Sequence, residues 1–63
     1  MTVNVEGLGK ITASKDVLNA IAGAFSYSRE LQHIKNRDML ADQHGKVFDS
    51  IYDALYESGY YNG

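Results

Sequence analysis

The first thirteen residues alternate between polar and apolar character. Val3 and Val5 are separated by Asn4, Gly7-Leu8-Gly9 interrupts, and Lys10, Ile11, Thr12 and Ala13 follow. This period of two predicts a β-hairpin over residues 2–13 with a glycine-containing turn. A lone two-stranded hairpin is marginal in water, so its apolar face must rest on another element. At Ser14 the period changes. Ser14 is a strong N-cap residue, and Asp16 sets a carboxylate beside the exposed amides of a first helical turn. Val17, Leu18, Ile21, Ala24, Phe25, Leu31 and Ile34 then recur at spacings of three and four, with Ser28 as the weak link, and predict a helix over residues 14–36 with one apolar stripe. Asn19, Gly23, Ser26, Glu30 and His33 take the other side. The polar run Lys35-Asn36-Arg37-Asp38 breaks the stripe and offers Asn36 or Asp38 as the next cap.

The pattern restarts with Leu40, Val47, Phe48, Ile51, Tyr52, Ala54 and Leu55 and predicts a second helix over residues 38–58, stopped by Ser58-Gly59. Leu40, His44, Val47, Ile51 and Leu55 keep one phase across Gly45, which argues for continuity. Glycine costs about 1 kcal/mol relative to alanine in a helix interior, so a break at Gly45 is the alternative. Tyr52, beside Ile51 and Leu55, is expected in the core. The tyrosine-rich tail, residues 59–63, is expected to fold Tyr60 and Tyr61 back onto the hairpin or the helix pair. The fold class is α+β: an N-terminal hairpin packed on a helical hairpin, in the order ββαα.

Composition narrows this picture. A chain of 63 residues makes one domain, and at that size folding buries only about 60% of the surface the unfolded chain exposes. There is no cysteine, proline or tryptophan, so no disulfide supports the thin core. His33 and His44 stand too far apart in sequence for an i, i+4 metal pair, and no metal or cofactor is expected. No signal-peptide pattern or membrane span is apparent, and the chain reads as a complete small open reading frame, soluble and cytoplasmic. Gly7-Leu8-Gly9-Lys10 has the look of a phosphate loop, but a strand follows it rather than a helix N-terminus. The serines lack any spaced His and Asp to activate them, and so small a chain has little room for a closed pocket. An enzyme is not expected.

Four constellations remain. Asp38, Asp42, Asp49, Asp53 and Glu57 fall along one face of the second helix, a row able to imitate nucleic-acid phosphates toward a basic groove. The alternative is an ordinary solvated face in which Lys46 pairs with Asp42 and Asp49. Tyr27, Tyr52, Tyr56, Tyr60 and Tyr61 are too many for this core to bury with every hydroxyl satisfied, and tyrosine is enriched where proteins meet. Asp49, Asp53, Tyr56, Glu57, Tyr60 and Tyr61 are therefore the candidate protein interface. Arg29, His33, Lys35 and Arg37 form the one basic cluster; Arg29, Lys35 and Arg37, joined by Lys46, would be the contact to an acidic partner or nucleic acid, although cations near a helix C-terminus are also favoured by its dipole. Finally, Ala41-x3-Gly45-x5-Ile51 resembles the skeleton of a helix-turn-helix, but the helix that would read DNA carries Asp49, Asp53 and Glu57 with only Lys46 as a cation.

The halves differ in charge: residues 1–37 hold five Lys/Arg and three acids, residues 38–63 one Lys and five acids, for a net charge of -2. A dipolar molecule of this kind could pair antiparallel with a second copy; an even mixture of charges over the folded surface is the equal alternative. In size, charge and tyrosine content the chain is similar to small accessory proteins of phages and mobile elements, including inhibitors of host defence such as anti-CRISPR proteins; the resemblance is one of class. The first functional expectation is a non-enzymatic protein-binding module whose partner is a larger intracellular protein or a second copy of itself, with nucleic acid disfavoured and no membrane. A small helix-turn-helix-like DNA-binding regulator and a structural homo-oligomer are the alternatives.

Overall fold

Strands β1 (Thr2–Val5) and β2 (Gly9–Thr12) pair antiparallel with Val3 opposite Ile11 and Val5 opposite Gly9 in the computed structural model, which describes residues 1–62. Helices α1 (Lys15–Ile34) and α2 (Asp38–Glu57) follow, and a single 3-10 turn, Tyr60–Asn62, closes the described chain. The fold is the expected ββαα arrangement. Gly63, the last residue of the expected tail, lies outside the described residues.

The hairpin turn is set by Gly7, whose φ of +88° suits the third position of a type II turn and which L side chains rarely adopt. The Leu8 amide donates to the Val5 carbonyl at 3.1 Å across it. Pairing extends beyond the strands, with reciprocal 3.0 Å bonds between the backbones of Met1 and Ala13. Val3 and Val5, two apart, point to the same side and are buried against Leu18 and Ala22 of α1 and Val47, Ile51 and Leu55 of α2. The hairpin thus lids the helix pair, which supplies the apolar support its own two strands lack.

Ser14 caps α1 as expected, its hydroxyl accepting from the Val17 amide at 3.2 Å. The end of α1 differs from expectation. Asn36 is not an N-cap: it takes a left-handed φ of 60°, and the Asn36 and Arg37 amides donate to the His33 and Gln32 carbonyls. This is a Schellman closure with asparagine in the position glycine usually fills. It stops α1 at Ile34, two residues before the expected end, and turns the chain within three residues. Asp38 is the first residue of α2 rather than its cap; Arg37 holds the cap position without a side-chain bond. α2 runs unbroken through Gly45 and ends at Glu57, with Gly59 at φ +82° beyond it.

Gly45 is buried because α1 crosses there. A Cβ built on it would stand 2.9 Å from Cδ of Arg29. Close approach, rather than a turn, is what the missing side chain provides.

The apolar stripe of α1 divides in two. Leu18, Ile21, Ala22 and Phe25 face the core, whereas Val17, Ala24 and Ile34, expected inside, are exposed. Periodicity alone merges two separate helical faces into one. Tyr52, also expected inside, is 39% exposed, because Ile51 and Leu55 already fill the center of the interface at 0% exposure each. No helix of the described residues is long and apolar enough to cross a membrane.

Candidate functional site

The outer face of α2 is an aromatic ladder beside a row of carboxylates. Phe48, Tyr52 and Tyr56 recur every four residues, one helical turn apart, so their rings lie above one another. Phe48 and Tyr52 stack with centroids 5.5 Å apart, and Tyr52 and Tyr56 at 6.3 Å. The Arg29 guanidinium from α1 closes one end, 5.6 Å from the Phe48 ring centre. Tyr61 stacks on Tyr52 at 5.2 Å from the side. Arg29, a candidate of the basic cluster, thus also packs against this ladder.

Tyr60 and Tyr61 do fold back, and the helix pair receives them. The Tyr60 hydroxyl donates to Oδ1 of Asp16 and the Tyr61 hydroxyl to Oδ1 of Asn19, both at 2.6 Å. Both phenols are thereby tied to the first turns of α1. The hydrogen bond to Asp16 raises the Tyr60 phenol above its ordinary 10.0, with burial and the same carboxylate's charge adding to it. These two residues, expected at the interface, carry a structural duty first; Tyr61 keeps part of its ring in solvent at 40% exposure. Tyr56 is 57% exposed, and among the described residues neither its hydroxyl nor that of Tyr52 has a partner.

The carboxylates beside the ladder stand alone. Lys46 does not pair with Asp42 or Asp49; it reaches Glu6 of the hairpin turn at 3.8 Å. A 3.2 Å hydrogen bond joins His33 Nδ1 and Oδ1 of Asp38. Among the described residues, Asp42, Asp49, Asp53 and Glu57 have no cation within pairing distance, and the last turn of α2 holds no basic residue.

The basic candidates are dispersed. Lys35 and Arg37 lie in the interhelical turn, whereas Lys46 is eight residues into α2, about 12 Å along its axis at the α-helical rise. The turn that a helix-turn-helix requires at Gly45 is not formed.

One pairing that spacing did not anticipate joins the helices. The Ser28 hydroxyl and His44 Nδ1 share a partly buried 2.7 Å hydrogen bond. The His44 ring meets Phe25 edge-on at 5.3 Å, and no carboxylate among the described residues pairs with it. A third group that would orient the imidazole for nucleophile activation is missing from this pair. It acts as a polar rivet between α1 and α2. Beside it an open groove of about 550 Å³ is lined by Leu8, Phe25, His44 and Lys46, comparable in size to a ligand pocket but not enclosed.

No family model, curated protein or solved structure matches the chain. The site stands on its geometry.

Proposed function

We infer that the protein is a non-enzymatic binding module that occupies a basic surface of a larger protein with the outer face of α2. Tyr52 and Tyr56 would supply apolar area with polar tips, and Asp49, Asp53 and Glu57 the charge. The observation that carries this reading is electrostatic. Asp49, Asp53 and Glu57 follow one another at four-residue intervals, without a counterion among the described residues, and approach the C-terminal end of α2. Like charges at that spacing repel, and carboxylates near a helix C-terminus oppose its dipole. The isolated fold gains nothing from the row; a cationic partner would.

Placed beside stacked tyrosines, such a row fits a groove built to hold nucleic-acid phosphates, and a small inhibitor of the kind made by phages and mobile elements is the class of protein that uses one. The DNA-binding alternative lacks its turn at Gly45 and a coherent basic surface. The test is affinity capture with the wild-type chain beside Tyr56→Ala and Asp49→Lys/Asp53→Lys. A partner held by the wild type and lost with either variant is expected. A partner retained equally by the charge-reversed double variant would remove the acidic-face reading.

A further inference from the structure

A second face of the molecule is also without a partner, and it lies on α1. Val17, Ala20, Ala24, Tyr27, Leu31 and Ile34 recur at alternating spacings of three and four, the repeat of a coiled-coil seam. At 3.6 residues per turn this row falls on the far side of α1 from the core-facing Leu18 and Ala22. It is apolar without interruption, yet Val17 is 50% exposed, Tyr27 71% and Ile34 76%. Ala20 and Ala24 are exposed as well, and only Leu31 is partly covered. Single apolar residues on a surface are ordinary, but an unbroken row the length of a helix marks an interaction site.

We propose that this seam is covered by the same seam of a second copy, in an antiparallel homodimer whose two-fold axis passes between Ala24 and Tyr27. The occupant follows from the order of residues in the row. Its alanines lie toward the N-terminal half and its larger side chains toward the C-terminal half. Run antiparallel, Ala20 faces Leu31 of the second copy, Ala24 faces Tyr27, and Val17 faces Ile34. Large then meets small across the central layers, the alternation that fills an interface without voids. A parallel pair would set alanine on alanine at one end and tyrosine on tyrosine near the other, leaving one end hollow.

Charge selects the same arrangement. The antiparallel pair brings Lys35 and Arg37, just beyond the C-terminal end of one α1, toward Asp16 in the first turn of the other. The two macrodipoles also oppose one another. The six residues and their flanks present on the order of 500 Å² per chain, so pairing would bury about 1,000 Å² in total, near the lower bound for a specific interface. A dimer of modest affinity is the consequence, and it leaves the outer face of α2 clear on each copy. The inference rests on α1 and the turn that follows it, and stands or falls separately from the reading of the outer face of α2.

The chain's lack of cysteine permits a clean test. Sedimentation equilibrium from low to high micromolar concentration should show the mass rising from 7.0 kDa toward twice that value. Ala24→Glu with Tyr27→Glu, at exposed positions in the centre of the seam, should abolish the rise while helical circular dichroism is retained. Independently of that variant's folding, a mixture of Val17→Cys and Ile34→Cys chains should oxidise to the mixed disulfide, with little cross-linking of either chain to itself. A monomer at every concentration would overturn the proposal, as would a dimer unaffected by the folded double variant. So would preferential cross-linking of each cysteine chain to itself, the signature of parallel pairing.

Discussion

Arg29 lies over two residues of α2 at once: it crosses the bare backbone of Gly45 and rests its guanidinium on Phe48. Alanine is the better helix former by about 1 kcal/mol, so propensity alone would have Gly45→Ala stabilise the protein. The 2.9 Å approach to Arg29 Cδ sets the opposite expectation, because the side chain must shift from its seat over the Phe48 ring to admit a methyl group. Gly45→Ala should lower the urea midpoint in the wild type and raise it in an Arg29→Ala background, where the obstruction is gone. A gain of similar size in both backgrounds would show that Arg29 moves aside freely. Tyr60 offers a second residue-level test. Its phenol is held protonated by the bond to Asp16, so the folded-state pKa exceeds the unfolded value of 10.0. The contribution is complete below that value and is lost as pH rises through and beyond it. Thermal stability should fall on the alkaline side of about pH 10, and Tyr60→Phe should remove that part of the decline.

Between elements, the turn from α1 to α2 depends on Asn36 holding a left-handed φ of 60°. Alanine there should cost about 1 kcal/mol, because Cβ meets the following carbonyl in that region. Asn36→Gly should keep or raise the melting temperature, and a loss with glycine would mean that the asparagine side chain, not its backbone freedom, secures the turn. The core between helices and hairpin is small, and Leu18, Ile51 and Leu55 are its fully closed members at 0% exposure. Ile51→Ala should cost about 3 kcal/mol from lost transfer energy and a residual cavity. In a 63-residue domain that is a large part of the total, so the variant should be largely unfolded by circular dichroism at 37 °C.

At the scale of the whole molecule, the uncompensated carboxylates of α2 set stability against binding. Asp53→Lys interrupts the run from Asp49 to Glu57 and places a cation nearer the C-terminal end of the helix, where the dipole favours it. The isolated protein should gain about 0.5 kcal/mol in a denaturant melt while its hold on a cationic partner weakens. A loss of stability instead would mean that Asp53 is compensated within the fold, and the electrostatic argument for the binding face would fail with it.

Local chemistry made much of this legible in the residues. The alternation around Val3 and Val5, the Ser14 cap, the phase of Leu40, His44, Val47, Ile51 and Leu55, and the Ser58-Gly59 stop each reflect interactions within a few residues, and they determine the ββαα order. The carboxylate row was legible for the same reason, since residues four apart share a face in any helix. Tertiary structure decided what long-range contact alone can decide. It chose which of two apolar rows on α1 turned inward, took Lys46 to Glu6 and away from Asp42 and Asp49, and joined Ser28 to His44 across the helix pair. It also tied Tyr60 and Tyr61 to α1 and left Tyr56 in solvent. Spacing along a chain ranks the faces of one helix by composition, whereas burial depends on which face a second element reaches first. Gly45 shows the difference most plainly: its propensity suggests a break, and its actual role, close passage of Arg29, exists only once two helices cross.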